Sequence, residues 1–263
     1  MSFARIKGLL LRYYFCYSRS TFRIMDIVFW PVMDLLVWGF LTMYMLKVSG
    51  GVPGLFTYLI GSVILWNVLY RAQQAVSVSF LEDVWSRNFI NIFVAPVKTF
   101  EFVAATCIAG LIQSVAVAAI MVPLAWFFYQ YNFGTLGFFM IPFFINLLLM
   151  GWTLGLITTA MIIRWGHQAE ALAWAIPFLL QPLCAVFYPV EVLPAWLRAV
   201  SLCIPATYVF EGMRTILKGG AFSMKDLWLS MALNLLYAIL AAALFEHLFN
   251  EARKNGKLTK LNT

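Results

Sequence analysis

Two ionisable residues lie deep in apolar sequence, Asp34 in "FWPVMDLLVWGF" and Arg71 in "LWNVLYRAQQAV". A charge in hydrocarbon is costly, so such residues mark either a pathway for polar cargo or a structural pair that neutralises itself. At 1.5 Å of helix rise per residue both are expected about 10 Å from the same membrane boundary, close enough to meet. A second charged group, Glu191, Arg198, Glu211 and Arg214, sits in "FYPVEVLPAWLRAVSLCIPATYVFEGMRTILKGG" (187–220), broken by Pro189, Pro194 and Pro205. A third polar stretch, "EDVWSRNFINIFVAPVK" (82–98), interrupts the apolar middle of the chain. The chemistry these residues offer is charge pairing, docking and gating. No G-x-x-x-x-G-K-[ST], H-E-x-x-H or G-x-S-x-G occurs, and His167 and His247 are the only histidines, so no catalytic residue, metal ligand or cofactor-binding residue is assigned.

The elements that must hold these groups follow from composition. With 63% hydrophobic and 11% charged residues, the chain has far too much hydrocarbon for a water-soluble domain. Its long apolar runs far exceed the roughly 9 to 11 residues of a barrel strand, and a spanning segment must satisfy its own backbone, so the fold class is an all-α polytopic membrane protein. Six spans are expected, at 27–47, 56–78, 101–128, 137–163, 171–188 and 227–249, forming one transmembrane domain over 1–263 with a tail at 250–263. Placing both termini in the cytoplasm puts thirteen Lys and Arg on the inner side and five on the outer, which satisfies the positive-inside bias. The net charge of +7 is then accounted for by topology and anionic lipid, and no nucleic-acid partner is needed.

Residues 1–24 carry basic residues throughout and no small-residue cleavage site, which fits neither a signal peptide nor a span. At about 100° per residue, Phe3, Ile6, Leu10, Tyr13 and Tyr17 form one stripe and Arg5, Arg12 and Arg19 another, the pattern of an interfacial helix. The same projection over 82–98 sets Trp85, Phe89, Ile92 and Phe93 against Asp83, Arg87, Asn88 and Asn91, until Pro96 ends the pattern. That is a surface helix between spans 2 and 3 with a polar arc free for a partner. The prolines of 187–220 forbid a single span, so two short helices, about 192–203 and 206–218, are expected to enter the outer leaflet and return. Glu211 and Arg214, three apart, share a face there. Gly151 and Gly155 in "GWTLG" offer a notch for close helix packing. Cys16, Cys107, Cys184 and Cys203 have no metal-like spacing and read as small core residues; a Cys184–Cys203 disulfide stays open.

Together, the N-terminal interfacial helix, six spans, "RNFINIFVAPV" between spans 2 and 3, and "YPVEVLPAWLRAVSLCIPATYVFEGMR" before span 6 resemble the ABC-2 type exporter permease over essentially the whole chain. The resemblance implies a homodimer in a bacterial inner membrane that engages two copies of a separate ABC ATPase, which would bind the ATP and Mg absent from this chain. It implies that the 82–98 helix is the coupling helix, with Asp83, Trp85, Arg87, Asn88 and Asn91 at the ATPase contact, and that Glu191, Arg198, Glu211 and Arg214 belong to a re-entrant exit gate. Members of this family export polysaccharides, lipid-linked glycans, teichoic acids or drugs. An aromatic content of 17% suits stacking against sugar rings, which favours a glycan, with a drug as the alternative. A secondary transporter would need a duplicated half with paired broken helices, and no such repeat is visible.

Overall fold

The computed structural model describes residues 2–48, 55–86, 95–131 and 133–255. Among these there are nine α-helices and no strand: α1 (Phe3–Ser18), α2 (Thr21–Val48), α3 (Leu55–Trp85), α4 (Thr99–Tyr129), α5 (Met140–Trp165), α6 (Leu172–Leu183), α7 (Ala195–Ser201), α8 (Pro205–Leu217) and α9 (Met224–Lys254). Short 3-10 turns at Phe133–Phe139, Gly166–Ala169 and Val190–Val192 join them.

Thr21–Val48, Thr99–Tyr129, Leu136–Trp165 and Met224–Lys254 are long and apolar enough to cross a membrane. The expected second span lies within α3, whose 31 residues suffice in length. Its composition sets it apart, because Asn67, Arg71, Gln73, Gln74 and Ser77 are all buried in the bundle. Polar side chains at membrane depth belong inside a bundle, and α3 is accordingly its axis, wrapped by α2, α4, α5 and α6.

The expected fifth span, 171–188, is helical over only part of its length. Its helix, α6, has only 12 residues and ends at Leu183, giving about 18 Å of rise against a hydrocarbon core of about 30 Å. Pro177 and Pro182 lie inside it, and each removes the N–H that would bond the carbonyl four residues earlier. The carbonyl freed by Pro177 is that of Ala173, and α3 supplies its donors: Gln73 Nε2 at 3.1 Å and Gln74 Nε2 at 2.7 Å. Beyond Leu183 the chain turns sharply, with Ala185 at φ 52.

Two sets of contacts fix α5, one to this axis and one to α8 and α9. An added Cβ on Gly151 would lie 2.6 Å from the Leu69 carbonyl oxygen, and one on Gly155 would lie 2.6 Å from Val76 Cβ, so the notch read from "GWTLG" receives α3. Farther along, Asn146 Nδ2 donates to Ser230 Oγ, Asn234 Nδ2 donates to Asn146 Oδ1 at 2.7 Å, and Ser230 Oγ donates to the Pro205 carbonyl at 3.1 Å. This network joins α5, α8 and α9 where hydrocarbon would leave each group unpaired.

The expected apolar stripe of α1 packs on the protein core through Ile6, Leu10, Tyr13 and Tyr17 and departs from expectation at Phe3. Ile6, Leu9 and Tyr13 are the buried residues, whereas Phe3 is 81% exposed. Arg5 and Arg12 reach carboxylates on α4 and α3 from beside this stripe. Leu11, Tyr14 and Phe15 share the exposed side with Phe3. Because backbone atoms face Gly151, Gly151→Ala is expected to lower stability by about 1–3 kcal/mol. At Gly8 an added Cβ meets nothing within 4 Å, so Gly8→Ala should not lower it; thermal unfolding in detergent checks both.

Candidate functional site

Three regions hold the residues singled out by their chemistry. The first is the end of the bundle carrying α1, where α3 leaves at Trp85 and α4 begins at Thr99. Asp83 is not on a free polar arc. It belongs to the last turn of α3, is 1% exposed, and receives both guanidinium nitrogens of Arg12. The expected surface helix was phased from residue 82, whereas α3 runs on to Trp85, and that continuation turns Asp83 inward. Trp85 is exposed, and its Nε1 donates to Glu170 Oε1 at 2.8 Å. Arg87, Asn88 and Asn91 lie outside the described residues.

Sequence reasoning missed the acid that holds the other side of this end. Glu101, in the first turn of α4, accepts from the Ser2 N–H at 2.7 Å, the Lys98 N–H at 3.0 Å and Arg5 Nη1 at 3.4 Å. An acid at the third position of a helix was the available signal. Arg23, at the start of α2, pairs with Glu82 at 3.3 Å. Burial pushes the Glu82 carboxyl above its ordinary range, against the pull of Arg23 and Arg12. Three arginines of α1 and α2 thus grip three carboxylates on the two stems that flank residues 87–94.

The second region corrects the expected charge pair. Arg71, 4% exposed, pairs with Asp26: Nη1 lies 3.6 Å from Oδ2, and Nη2 donates to the Asp26 carbonyl at 2.8 Å. Asp34 lies two turns farther along α2, exposed, on the wall of a cleft of about 310 Å³ between α2, α3 and α6. Trp30, Trp38, Trp66 and Tyr70 supply aromatic faces to the cleft, while Asn67 and Gln181 supply amides. Phe187 closes it by stacking on Trp38, with centroids 4.1 Å apart. Aromatic planes beside hydrogen-bonding side chains can hold a ring or chain that is apolar on one face and polar at its edge.

The third region is the opposite end. The two expected short helices are present as α7 and α8. Glu211 and Arg214 form an ion pair on α8, and Glu211 Oε1 also accepts from the Val190 N–H at 2.7 Å. The buried Arg214 guanidinium donates to the carbonyls of Ala185 at 3.0 Å and Tyr188 at 2.8 Å and to the Tyr58 hydroxyl, lying 4.2 Å from the Tyr58 ring centroid. Tyr58 in turn donates to the Ala185 and Val186 carbonyls. The turn after α6 is therefore stapled to α3 and α8. Glu191 and Arg198 are exposed and stand apart from this staple. All four cysteines are free, with Cys184 buried and Cys203 exposed, so the open disulfide is not formed. Among the described residues, no three His, Cys, Asp or Glu side chains converge as a metal site.

Removing Arg214 would take away the counter-charge of Glu211 and the donor to the Tyr188 carbonyl. Arg214→Ala should cost about 3–5 kcal/mol, whereas exposed Arg198→Ala should stay within about 0.5 kcal/mol. Chemical or thermal unfolding of the two variants measures the difference.

A search of curated proteins returns no match. A family model described as ABC-2 type transporter matches residues 12–218, from within α1 to the end of α8. This is a multi-pass transport permease family, not a catalytic one, and its membrane domain works with an ABC ATPase. With most of its length matched and an all-helical architecture carrying several apolar helices, the chain belongs to the ABC-2 type transporter family.

Proposed function

We propose that this chain is the membrane subunit of an ATP-driven exporter, working as a homodimer in a bacterial inner membrane with two separate ATPase subunits. In this reading α3 and α6 complete six membrane passages, α6 as a partial one, and both termini are cytoplasmic. Residues 87–94, with Arg87, Asn88 and Asn91, meet the ATPase, and 187–220 forms the re-entrant exit side. ATP and its metal are held by the partner.

The cargo is an amphipathic glycan, free or lipid-linked, moved outward. The observation that carries this is the cleft of Trp30, Trp38, Trp66 and Tyr70 beside Asp34, Asn67 and Gln181. Indole faces can cover the apolar faces of sugar rings while carboxylate and amide groups bind hydroxyls. The lone carboxylate favours a second reading, a hydrophobic cationic drug, since a cation over aromatic faces is attracted by their quadrupoles.

The test uses the permease co-expressed with its ATPase in proteoliposomes. Arg87→Glu/Asn91→Glu should leave the permease inserted while weakening ATPase association and transport. Trp38→Ala/Trp66→Ala should leave association intact and cut glycan export. Normal association in the first variant would refute the docking assignment. Normal glycan export in the second, combined with loss of cationic drug export on Asp34→Asn, would replace the glycan by the drug.

A further inference from the structure

Three arginines of the α1 and α2 elbow land on the stems of the 87–94 segment. Arg12 grips Asp83, Arg23 meets Glu82 at 3.3 Å, and Arg5 meets Glu101 at 3.4 Å. The first two acids close α3, and the third opens α4. These pairs give the stems a connection to α1 and to the start of α2.

Between α1 and α2 lie only residues 19 and 20. The Ser20 carbonyl accepts from the N–H groups of Arg23 at 3.1 Å and Ile24 at 3.2 Å, which makes the elbow short and internally bonded. Beyond it, α2 is loosely held. Its buried residues are Pro31, Leu35, Gly39 and Thr42, one stripe along a 28-residue helix, whereas α5 is buried over most of its turns. The upper part of α2 is pinned where the Tyr129 ring seats against Gly39 and its hydroxyl donates to the Leu36 carbonyl at 3.3 Å. The lower part is held by Asp26 against Arg71. Pro31 separates the two parts and deprives the Ile27 carbonyl of its helical donor, the usual cause of a bend. Trp30, Asp34 and Trp38, the α2 wall of the cleft, flank that point.

We propose that α1 and the first turns of α2 form a lever, which carries displacement of the 87–94 stems through Arg5, Arg12 and Arg23 to a hinge at Pro31 and so moves Trp30 against Asp34 and Trp38 on the α2 wall of the cleft. Arg12 and Asp83 are positioning residues in this device. It rests on the reading that 87–94 meets the ATPase, and it adds a second route from motor to pathway beside the direct push on α3 and α4.

The experiment uses the permease and ATPase complex in proteoliposomes with spin labels on Met25, in the lever part of α2, and Ile112 of α4, both exposed. Wild-type complex should show a change in the label separation between the nucleotide-free and ATP-trapped states. Arg12→Glu should abolish that change and lower transport per ATP hydrolysed by at least about fivefold, the lower bound of typical coupling between sites, while ATPase association is retained. The exchange Arg12→Asp/Asp83→Arg should restore both, which a variant that merely misfolds would not do. A full label shift and normal transport per ATP in Arg12→Glu would overturn the lever while leaving docking standing, provided that Arg87→Glu/Asn91→Glu still loses the ATPase. If that last variant binds the ATPase normally, the docking reading falls and the lever falls with it.

Discussion

Hydrocarbon gives polar groups nothing to bond with, and α3 is full of them. From Tyr58 through Asn67, Arg71, Gln73, Gln74 and Ser77 to Asp83, this helix carries a polar residue at nearly every turn, and all of these are buried. An isolated α3 would be a poor membrane helix, so other helices must both cover it and answer its donors and acceptors. Gly151 and Gly155 let α5 approach backbone to backbone, Ser114 of α4 donates to the Val68 carbonyl at 3.1 Å, and α6 offers the carbonyl that Pro177 frees. Proline, ordinarily a liability in a helix, here produces an acceptor where the glutamines need one.

The same requirement divides the molecule into a fixed part and a peripheral part. α3, α5 and α9 are joined by notches and side-chain networks, with α8 stapled on through Arg214. α2 and α1 contribute few buried residues and are attached by ion pairs at their common elbow. Ion pairs at an interface are directional and can re-form in a shifted geometry, whereas a glycine notch tolerates little displacement. The cleft lies between α2 on the peripheral side and α3 and α6 on the fixed side, so relative motion of the two parts changes its width. Static walls on one side and a hinged wall on the other suit a transporter better than a binding pocket meant to keep its ligand.

Much of this was legible in the chain. Long apolar runs gave four of the spanning helices, the prolines of 187–220 predicted two short helices that match α7 and α8 within a few residues, and "GWTLG" marked a real notch. What could not be read depends on positions far apart in sequence. Arg12 and Asp83 are 71 residues apart, and nothing local shows that they pair. Asp34 was matched to Arg71 by depth counted from an assumed helix start at 27. The helix starts at Thr21, and six residues displace that count by about 9 Å, enough to bring Asp26 to Arg71 instead. α6 was read as a full span because its residues are apolar; hydropathy registers neither the prolines inside it nor the turn at Ala185 that follows Leu183. The candidate cleft was visible only as a surplus of aromatics, because its walls come from three separate segments.

The bundle depends on α3 being a polar axis screened from lipid by the helices around it. Electron paramagnetic resonance of single nitroxide labels in liposomes, read as accessibility to oxygen in the bilayer and to a water-soluble nickel chelate, tests it most directly. Labels at Val68, Ala72 and Val76 should be shielded from both reagents, while labels at Val37 of α2 and Ile112 of α4 should meet oxygen freely. Strong oxygen accessibility at 68, 72 and 76, equal to that at 37 and 112, would mean that α3 faces lipid, and the arrangement of the bundle, the cleft and the lever would all be contradicted.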